Sequence, residues 1–246
     1  MDSEELFARR AASFGSVAAD YTRHRPGYPV EAIEWAVGDR DRVLDLAAGT
    51  GKLTESLLEL GLEVTAVEPD PAMRAEFTRL FPDVPALDGT AEEIPLRDAS
   101  VEAVVIGQAY HWFDPARALP EIVRVLRPGG VLAALWNHDD LSVPWVAGLE
   151  KLTTTTVGEL PRQPRGVPEH PQLKPPEQVQ VHHSQRRTVE SMIATLRTQS
   201  HISQAPEEER EAVLNQVRSY LQTHSETSEG EFERPLITTV IRAFRR

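Results

Sequence analysis

Val43-Leu44-Asp45-Leu46-Ala47-Ala48-Gly49-Thr50-Gly51-Lys52-Leu53-Thr54 is the stretch that decides the fold. A short apolar run passes through an acid and several small residues into a helical pattern. That order reads as a buried strand, a tight turn and the first turn of a helix. Glycines in such a turn let a ligand reach the backbone with no side chain in the way. The helix that follows offers its unpaired N–H groups to the same ligand.

Three ligands compete for the turn. A P-loop needs two glycines separated by four residues and followed by Lys-Ser/Thr, whereas Gly49 and Gly51 are separated by one residue and Lys52 is followed by Leu53. A dinucleotide site needs G-x-G-x-x-G, and the third position here is Thr54. Asp45 at the mouth of the turn would also repel a diphosphate. S-adenosylmethionine carries a sulfonium and an ammonium and no phosphate, so the charge of Asp45 favours it. A second signal lies downstream. The alternating, β-branched run Glu63–Asp70 reads as the next strand and carries Glu68 nineteen residues after Gly49. A carboxylate about 20 residues beyond the turn accepts from ribose hydroxyls; the alternative is a solvated acid at a strand end.

Asp45-Leu46-Ala47-Ala48-Gly49-Thr50-Gly51 resembles the glycine-rich first motif of class I S-adenosylmethionine-dependent methyltransferases, with Ala47 where the usual first glycine stands. Alanine serves there if its φ is negative, which is the expectation for Ala47. Tyr21-Thr22-Arg23-His24-Arg25-Pro26-Gly27-Tyr28-Pro29 resembles the entry segment of small-molecule methyltransferases of the group that includes trans-aconitate methyltransferase. Gln108-Ala109-Tyr110-His111-Trp112-Phe113-Asp114 resembles the same subgroup. The resemblance covers Phe14 to Trp136 well and the remainder in outline. It implies methyl transfer from S-adenosylmethionine to a small organic acceptor (oxygen, nitrogen or carboxylate), leaving S-adenosylhomocysteine. Asp45, Ala47, Gly49 and Gly51 would line the methionine part of the cofactor, Glu68 and Pro69 the ribose, and Thr90 and Ala91 the adenine. Gln108 would lie near the methyl, Tyr21 and Arg25 would face cofactor and substrate, and Tyr28, Trp112 and Trp136 would face the acceptor.

The remaining pattern predicts an α/β doubly wound, Rossmann-like sheet of seven strands. Pro29–Val37 reads as a helix closed by Gly38, Lys52–Leu60 as the helix after the turn, and Pro71–Leu80 as the next. Val84–Leu87 is a short strand that Pro85 confines to an edge. Val101–Ile106 and Val131–Trp136 are apolar enough to be buried on both faces. Asp114 or Arg117 begins the helix between them, Pro120 predicts that its regular part starts near Leu119, and Arg127-Pro128-Gly129-Gly130 reads as a turn. Five strand–helix units in succession mean a parallel sheet. Beyond it, Trp145–Thr156 reads as helix, the proline-rich stretch to Pro176 as loop, Val179–Val189 as strand, Glu190–Gln199 and Glu207–Leu221 as helices, and Glu231–Phe244 as strand. The resemblance places the last strand antiparallel and the two inserted helices over the substrate. The division expected is residues 1–40 as N-terminal lid and first helix, 41–137 as cofactor-binding core, and 138–246 as substrate cap with closing strands.

A methyl acceptor that is a hydroxyl or amine has a proton to lose, and histidine suits that task at neutral pH. His111, just past the fourth strand, is the catalytic candidate; the alternative is a histidine that orders the loop against Trp112. His138-Asp139-Asp140 reads as a polar loop in preference to a magnesium site. Arg23 and Arg25 are suited to a carboxylate or to a solvated turn.

With 246 residues the chain buries a full core. A net charge of −12 argues against non-specific nucleic-acid binding, and the acidic N-terminal residues lack a signal pattern. No stretch has the ~20 apolar residues of a membrane span, and no cysteine is present for a disulfide, thiolate nucleophile or Cys-ligated zinc. The expectation is a cytoplasmic monomer or homodimer with a small-molecule substrate and no metal. The rival readings are a nicotinamide-dependent oxidoreductase and a non-catalytic S-adenosylmethionine-binding protein.

Overall fold

The computed structural model describes residues 26–153, 166–197 and 200–246. The expected N-terminal lid helix, the Arg23-His24-Arg25 stretch and the expected contacts of Tyr21 and Arg25 lie outside the described residues, as does the tail of the helix expected to reach Thr156.

The chain runs α1 (Val30–Val37), β1 (Arg42–Leu46), α2 (Lys52–Glu59), β2 (Glu63–Val67), α3 (Pro71–Leu80), β3 (Ala86–Leu87), β4 (Val101–Gly107), α4 (Pro115–Val125) and β5 (Leu126–Asp139). It continues with α5 (Pro144–Leu152), β6 (Glu177–Arg187), α6 (Val189–Arg197), α7 (Ser200–Ser203), α8 (Glu207–Thr223) and β7 (Phe232–Phe244). The seven strands form one sheet in the order β3-β2-β1-β4-β5-β7-β6. Strands β1 to β5 are mutually parallel, β7 runs antiparallel to β5, and β6 runs antiparallel to β7. The strand order reverses between β1 and β4, which opens a crevice beyond their carboxyl ends.

Alternation along the strands explains the layering. Leu44, Leu46, Val104 and Ile106 turn to one face and pack with Leu119, Ile122 and Val123 of α4. Val43, Ala103 and Val105 turn to the other and pack with Ile33 of α1 and with Leu53 and Leu57 of α2. A separate apolar cluster joins Trp145 and Leu149 of α5, Met192 and Leu196 of α6, Ile202 of α7, Leu214 and Val217 of α8, and Phe232 of β7. The insertion before β7 therefore has a core of its own, welded to the end of the sheet. Among the described residues no helix is long and apolar enough to cross a membrane.

Two local expectations are corrected. Helix α4 starts at Pro115 and runs through Pro120, because Pro115 occupies the first helical position and the Asp114 side chain accepts from the Ala116 N–H at 3.0 Å. The helix thus begins at the Asp114 boundary, and its regular part is not delayed to Leu119 as Pro120 suggested. Strand β5 likewise starts at Leu126 and carries Pro128-Gly129-Gly130 within it. Its register against β4 shifts between Val101 and Ala103, so the apparent turn is absorbed as a bulge. A Cβ at position 130 would lie 2.8 Å from the carbonyl oxygens of both Arg127 and Glu102, which explains glycine there.

Candidate active site

A cavity of about 350 Å³ lies over the crevice. Its floor comes from three strand ends and the turn after the first: Asp45 with Ala47–Thr50, then Gly107 and Gln108, then Asn137, His138 and Asp139. Pro26 and Tyr28 close one side, and Leu141, Glu150, Thr195, Arg234 and Leu236 come from the cap side. The cofactor turn and the cap insertion thus face each other across one space.

Asp45 is fully buried at the end of β1. The Thr54 hydroxyl donates to its Oδ2 at 2.7 Å, while Oδ1 is buried with no hydrogen-bond partner among the described residues. Burial pushes this carboxyl up to about 7; the Thr54 hydroxyl works against that and the neighbouring Glu68 works with it. An unpartnered buried carboxylate oxygen beside a cavity is a place for a hydrogen-bond donor or a cation.

The turn itself departs from expectation at one residue. Ala47 has φ +59°, the left-handed region, so the position keeps the glycine-like conformation while carrying a Cβ. Gly49 (φ +59°) and Gly51 (φ +93°) are also left-handed, for different reasons. A Cβ on Gly49 would meet nothing within 4 Å, so the turn there faces open space. A Cβ on Gly51 would sit 2.4 Å from the Phe81 ring. Gly51 is therefore a packing glycine under α3 and does not line the cavity.

Glu68 is buried, and its two oxygens accept from the backbone N–H groups of Gly49 and Asp70, each at 2.8 Å. Burial raises its pKa and the two amides oppose that. Pro69 follows it into α3, whose first turn is capped by Asp70 Oδ1 at 2.8 and 2.9 Å from the Ala72 and Met73 amides. Thr90 is exposed and bridges to Glu93, whereas Ala91 is buried in the sheet core. Gln108, at φ +59°, lines the cavity and its Nε2 donates to the Asn137 carbonyl at 2.8 Å.

The aromatic and histidine candidates separate. Tyr28 lines the cavity, its hydroxyl against Gly107, where a Cβ would lie 2.6 Å away. Trp136, in contrast, is buried in the sheet core with Tyr110 edge-on at 6.4 Å, because its position on β5 turns it to the α4 side. Trp112 packs against the same core and stacks with His111 at 4.8 Å in the 3₁₀ turn Tyr110–Trp112. Neither His111 nor Trp112 is among the described walls of the cavity. His138 is, and its Nδ1 lies 2.9 Å from the Ile237 carbonyl, so Nδ1 carries the proton and donates. The Thr239 hydroxyl then donates to Nε2 at 3.2 Å.

The carboxylates beside His138 have separate protein partners. Asp139 is held by Arg234, and Asp140 by Ser142 and by His182 Nδ1 at 3.2 Å. Among the described residues no group of three or more His, Cys, Asp or Glu is placed to hold a metal ion. Asn137, Asp139 and Arg234 as cavity walls were missed in the sequence. Asp139 and Arg234 are 95 residues apart, and only the β5–β7 pairing brings them together.

The methyltransferase domain family matches residues 44–134. Over 233 residues, 94% of this chain and 95% of the relative, the sequence is 42% identical to an uncharacterized methyltransferase of Mycobacterium tuberculosis. This chain belongs to the class I S-adenosylmethionine-dependent methyltransferases. The methyltransferase is also 41% identical over 146 residues to an uncharacterized methyltransferase of Schizosaccharomyces pombe, which covers 57% of this chain and 58% of that one. A solved structure of a proposed type II methyltransferase from Anaeromyxobacter dehalogenans matches the methyltransferase with a TM-score of 0.65 at 26% identity, over 90% of this chain and 97% of that one. These matches favour methyl transfer over the oxidoreductase and non-catalytic readings.

Proposed function

We propose that this methyltransferase acts on a small organic acceptor held between the carboxyl ends of β4 and β5 and the cap helices. The observation that carries the reading is the unpartnered Oδ1 of Asp45, buried at the cavity floor beside the open backbone of Gly49. A cationic amino-acid moiety fits that oxygen, and a pyrophosphate does not. Asp45, Ala47 and Gly49 would hold the methionine part of S-adenosylmethionine. Glu68 would take the ribose, because each carboxylate oxygen that accepts one amide keeps a second acceptor site. Thr90 and Ala91 would border the adenine through their backbone, since the Ala91 side chain is committed to the core.

When bound, the cofactor supplies an electrophilic methyl group on a sulfonium. The chain's own residues position the acceptor and exclude water, which is where most of the acceleration of such a displacement arises. Where the acceptor oxygen or nitrogen carries a proton, a base of the chain would take it as the methyl group is transferred. His138 is placed for that role: its Nδ1–H is committed to the Ile237 carbonyl, which leaves Nε2 as the basic nitrogen, and Nε2 would take the proton once the Thr239 hydroxyl that donates to it turns away. His111, in its stack with Trp112, orders the loop after β4 in this reading.

Calorimetry with S-adenosylhomocysteine and with NAD tests the cofactor, and incubation with methyl-labelled S-adenosylmethionine and a metabolite extract tests the acceptor. Homocysteine-nucleoside binding with label in a small metabolite is the expected result. NAD binding alone, or label confined to protein, would overturn it.

A further inference from the structure

The cap side of the cavity holds a buried ion pair that joins β5 to β7. Arg234 near the start of β7 is 5% exposed and lines the cavity with Asp139 from the end of β5. Its Nε donates to Asp139 Oδ1 at 2.7 Å and its Nη2 to Oδ2 at 2.9 Å. This is the side-on edge of the guanidinium, closed by one carboxylate in a bidentate pair. The end-on edge, Nη1 with the second N–H of Nη2, has no acceptor among the described residues. A guanidinium has five N–H donors in a fixed plane, so Asp139 orients that edge while leaving it unused.

The same side of the cavity carries both signs, because Glu150 lines it together with Arg234. Arg187 of β6 is buried close by, and burial together with the charge of Arg234 pushes its guanidinium down to about 10. Taking charges out of water is costly, and a buried pair persists where it gains hydrogen bonds that complete it. A second oxyanion at the end-on edge supplies those bonds at the cavity wall.

We infer that Arg234, oriented by Asp139, is the specificity-determining residue of the acceptor site and recognises an anionic oxygen group, a carboxylate or a phosphate, on the acceptor. This group is the handle by which the acceptor is held, separate from the atom that receives the methyl. The inference rests on the small-acceptor reading above.

The test uses the full chain, methyl-labelled S-adenosylmethionine and a bacterial metabolite extract split by anion exchange into retained and unretained pools. Part of the retained pool is treated with phosphatase. The wild-type protein should label the retained pool. Loss of the labelled species from that pool after phosphatase identifies the handle as phosphate, and its persistence identifies a carboxylate. Arg234→Gln should lower kcat/KM toward the retained pool about 10- to 100-fold while leaving S-adenosylhomocysteine affinity unchanged. Arg234→Gln leaves Asp139 buried without its partner, so the double variant Asp139→Asn/Arg234→Gln removes both charges and should show the same selective loss in a folded protein. Arg234→Lys should recover part of the rate. Label in the unretained, neutral or cationic pool, or equal labelling by wild type and both variants, would overturn the inference. Failure to bind S-adenosylhomocysteine would overturn the cofactor reading, and binding without label in any pool would overturn the small-acceptor reading together with the inference.

Discussion

The backbone N–H of Gly49 donates to Glu68 Oε2 at 2.8 Å, across 19 residues of chain, and so ties the turn after β1 to the end of β2. The other oxygen takes the Asp70 amide, which leads into α3. One carboxylate therefore fixes both segments that border the proposed ribose site, and ribose hydroxyls would add to oxygens already held in place. Glu68→Gln presents an NH₂ group to one of the two amides, which repels it. S-adenosylhomocysteine affinity should fall about 10- to 100-fold by calorimetry. An unchanged dissociation constant would remove Glu68 from the cofactor site.

Ala47 and Gly49 share φ +59°, yet only one of them is glycine. A left-handed backbone costs an L-residue with a Cβ about 1–2 kcal/mol, and glycine's greater freedom in the unfolded chain returns about 0.5–1 kcal/mol of that. Ala47→Gly should therefore raise the unfolding free energy by roughly 0.5–1 kcal/mol in urea titration. A loss of stability would show that the alanine methyl makes packing contacts that outweigh the strain.

Gly49 and Gly51 separate ligand space from packing space. Gly51→Ala would drive a methyl into the Phe81 ring at a left-handed position and should cost about 2–4 kcal/mol of stability. Gly49→Ala meets no protein atom within 4 Å, so its stability loss should stay near ~1 kcal/mol. Its methyl would instead fill the open space beside the turn, and S-adenosylhomocysteine affinity should fall. Thermal melts with and without ligand distinguish the two. Equal melting shifts for both variants, with ligand affinity retained by Gly49→Ala, would place the cofactor elsewhere.

Which features were legible follows from how local their causes are. The strand, turn and helix around Gly49 are written in consecutive residues, and Glu68 is found by a spacing that one crossover imposes. The apolar runs Val101–Ile106 and Val131–Trp136 were visible because a parallel sheet covers both faces, whereas the ends of the strand Leu126–Asp139 were not, since Arg127-Pro128-Gly129-Gly130 reads as a turn and His138-Asp139-Asp140 as a polar loop. Ala47's φ was misread because the turn's hydrogen bonding overrides the alanine preference: Gly51 N–H bonds the Ala48 carbonyl at 2.9 Å and Ala48 N–H bonds Val67 at 3.1 Å. Trp136 and His138 lie two residues apart on the same strand face, and nothing in their order says that the core ends between them. The Asp139–Arg234 pair depends on the register of β5 with β7, where Asp139 faces Leu236, and composition carries no trace of that.

Asp45 gives the site a pH signature. Its pKa of about 7 lies above the ordinary 3.8, so the carboxyl is largely neutral in the unliganded protein below neutrality. An acid with a raised pKa contributes stability in full below its unfolded value, and that contribution is lost as pH rises through the folded value. Unliganded stability should therefore decline between about pH 4 and pH 7, and Asp45→Asn should flatten that decline. A cationic ligand group at Oδ1 favours the ionised form and pulls the pKa down, so binding at about pH 6 should release a proton. Binding enthalpies measured in buffers of different ionisation heat should differ at that pH for the wild type and coincide for Asp45→Asn. Buffer-independent enthalpies in the wild type would remove Asp45 from contact with the ligand's charge.

His138 and His111 make opposite predictions for turnover. His138 lines the cavity with its tautomer set by the Ile237 carbonyl, whereas His111 stacks on Trp112 away from the described cavity walls. With an O–H or N–H acceptor, a base that takes the proton in the transition state contributes about 10²- to 10⁴-fold. His138→Ala should lose kcat in that range while S-adenosylhomocysteine binding persists, and the acid limb of the wild-type rate profile should disappear with it. His111→Ala should keep that limb and lose less than about tenfold in kcat, through loosening of the loop after β4. The reverse pattern, with the limb lost in His111→Ala and retained in His138→Ala, would return the proton to His111 and require the 3₁₀ turn to swing toward the cavity when the acceptor binds.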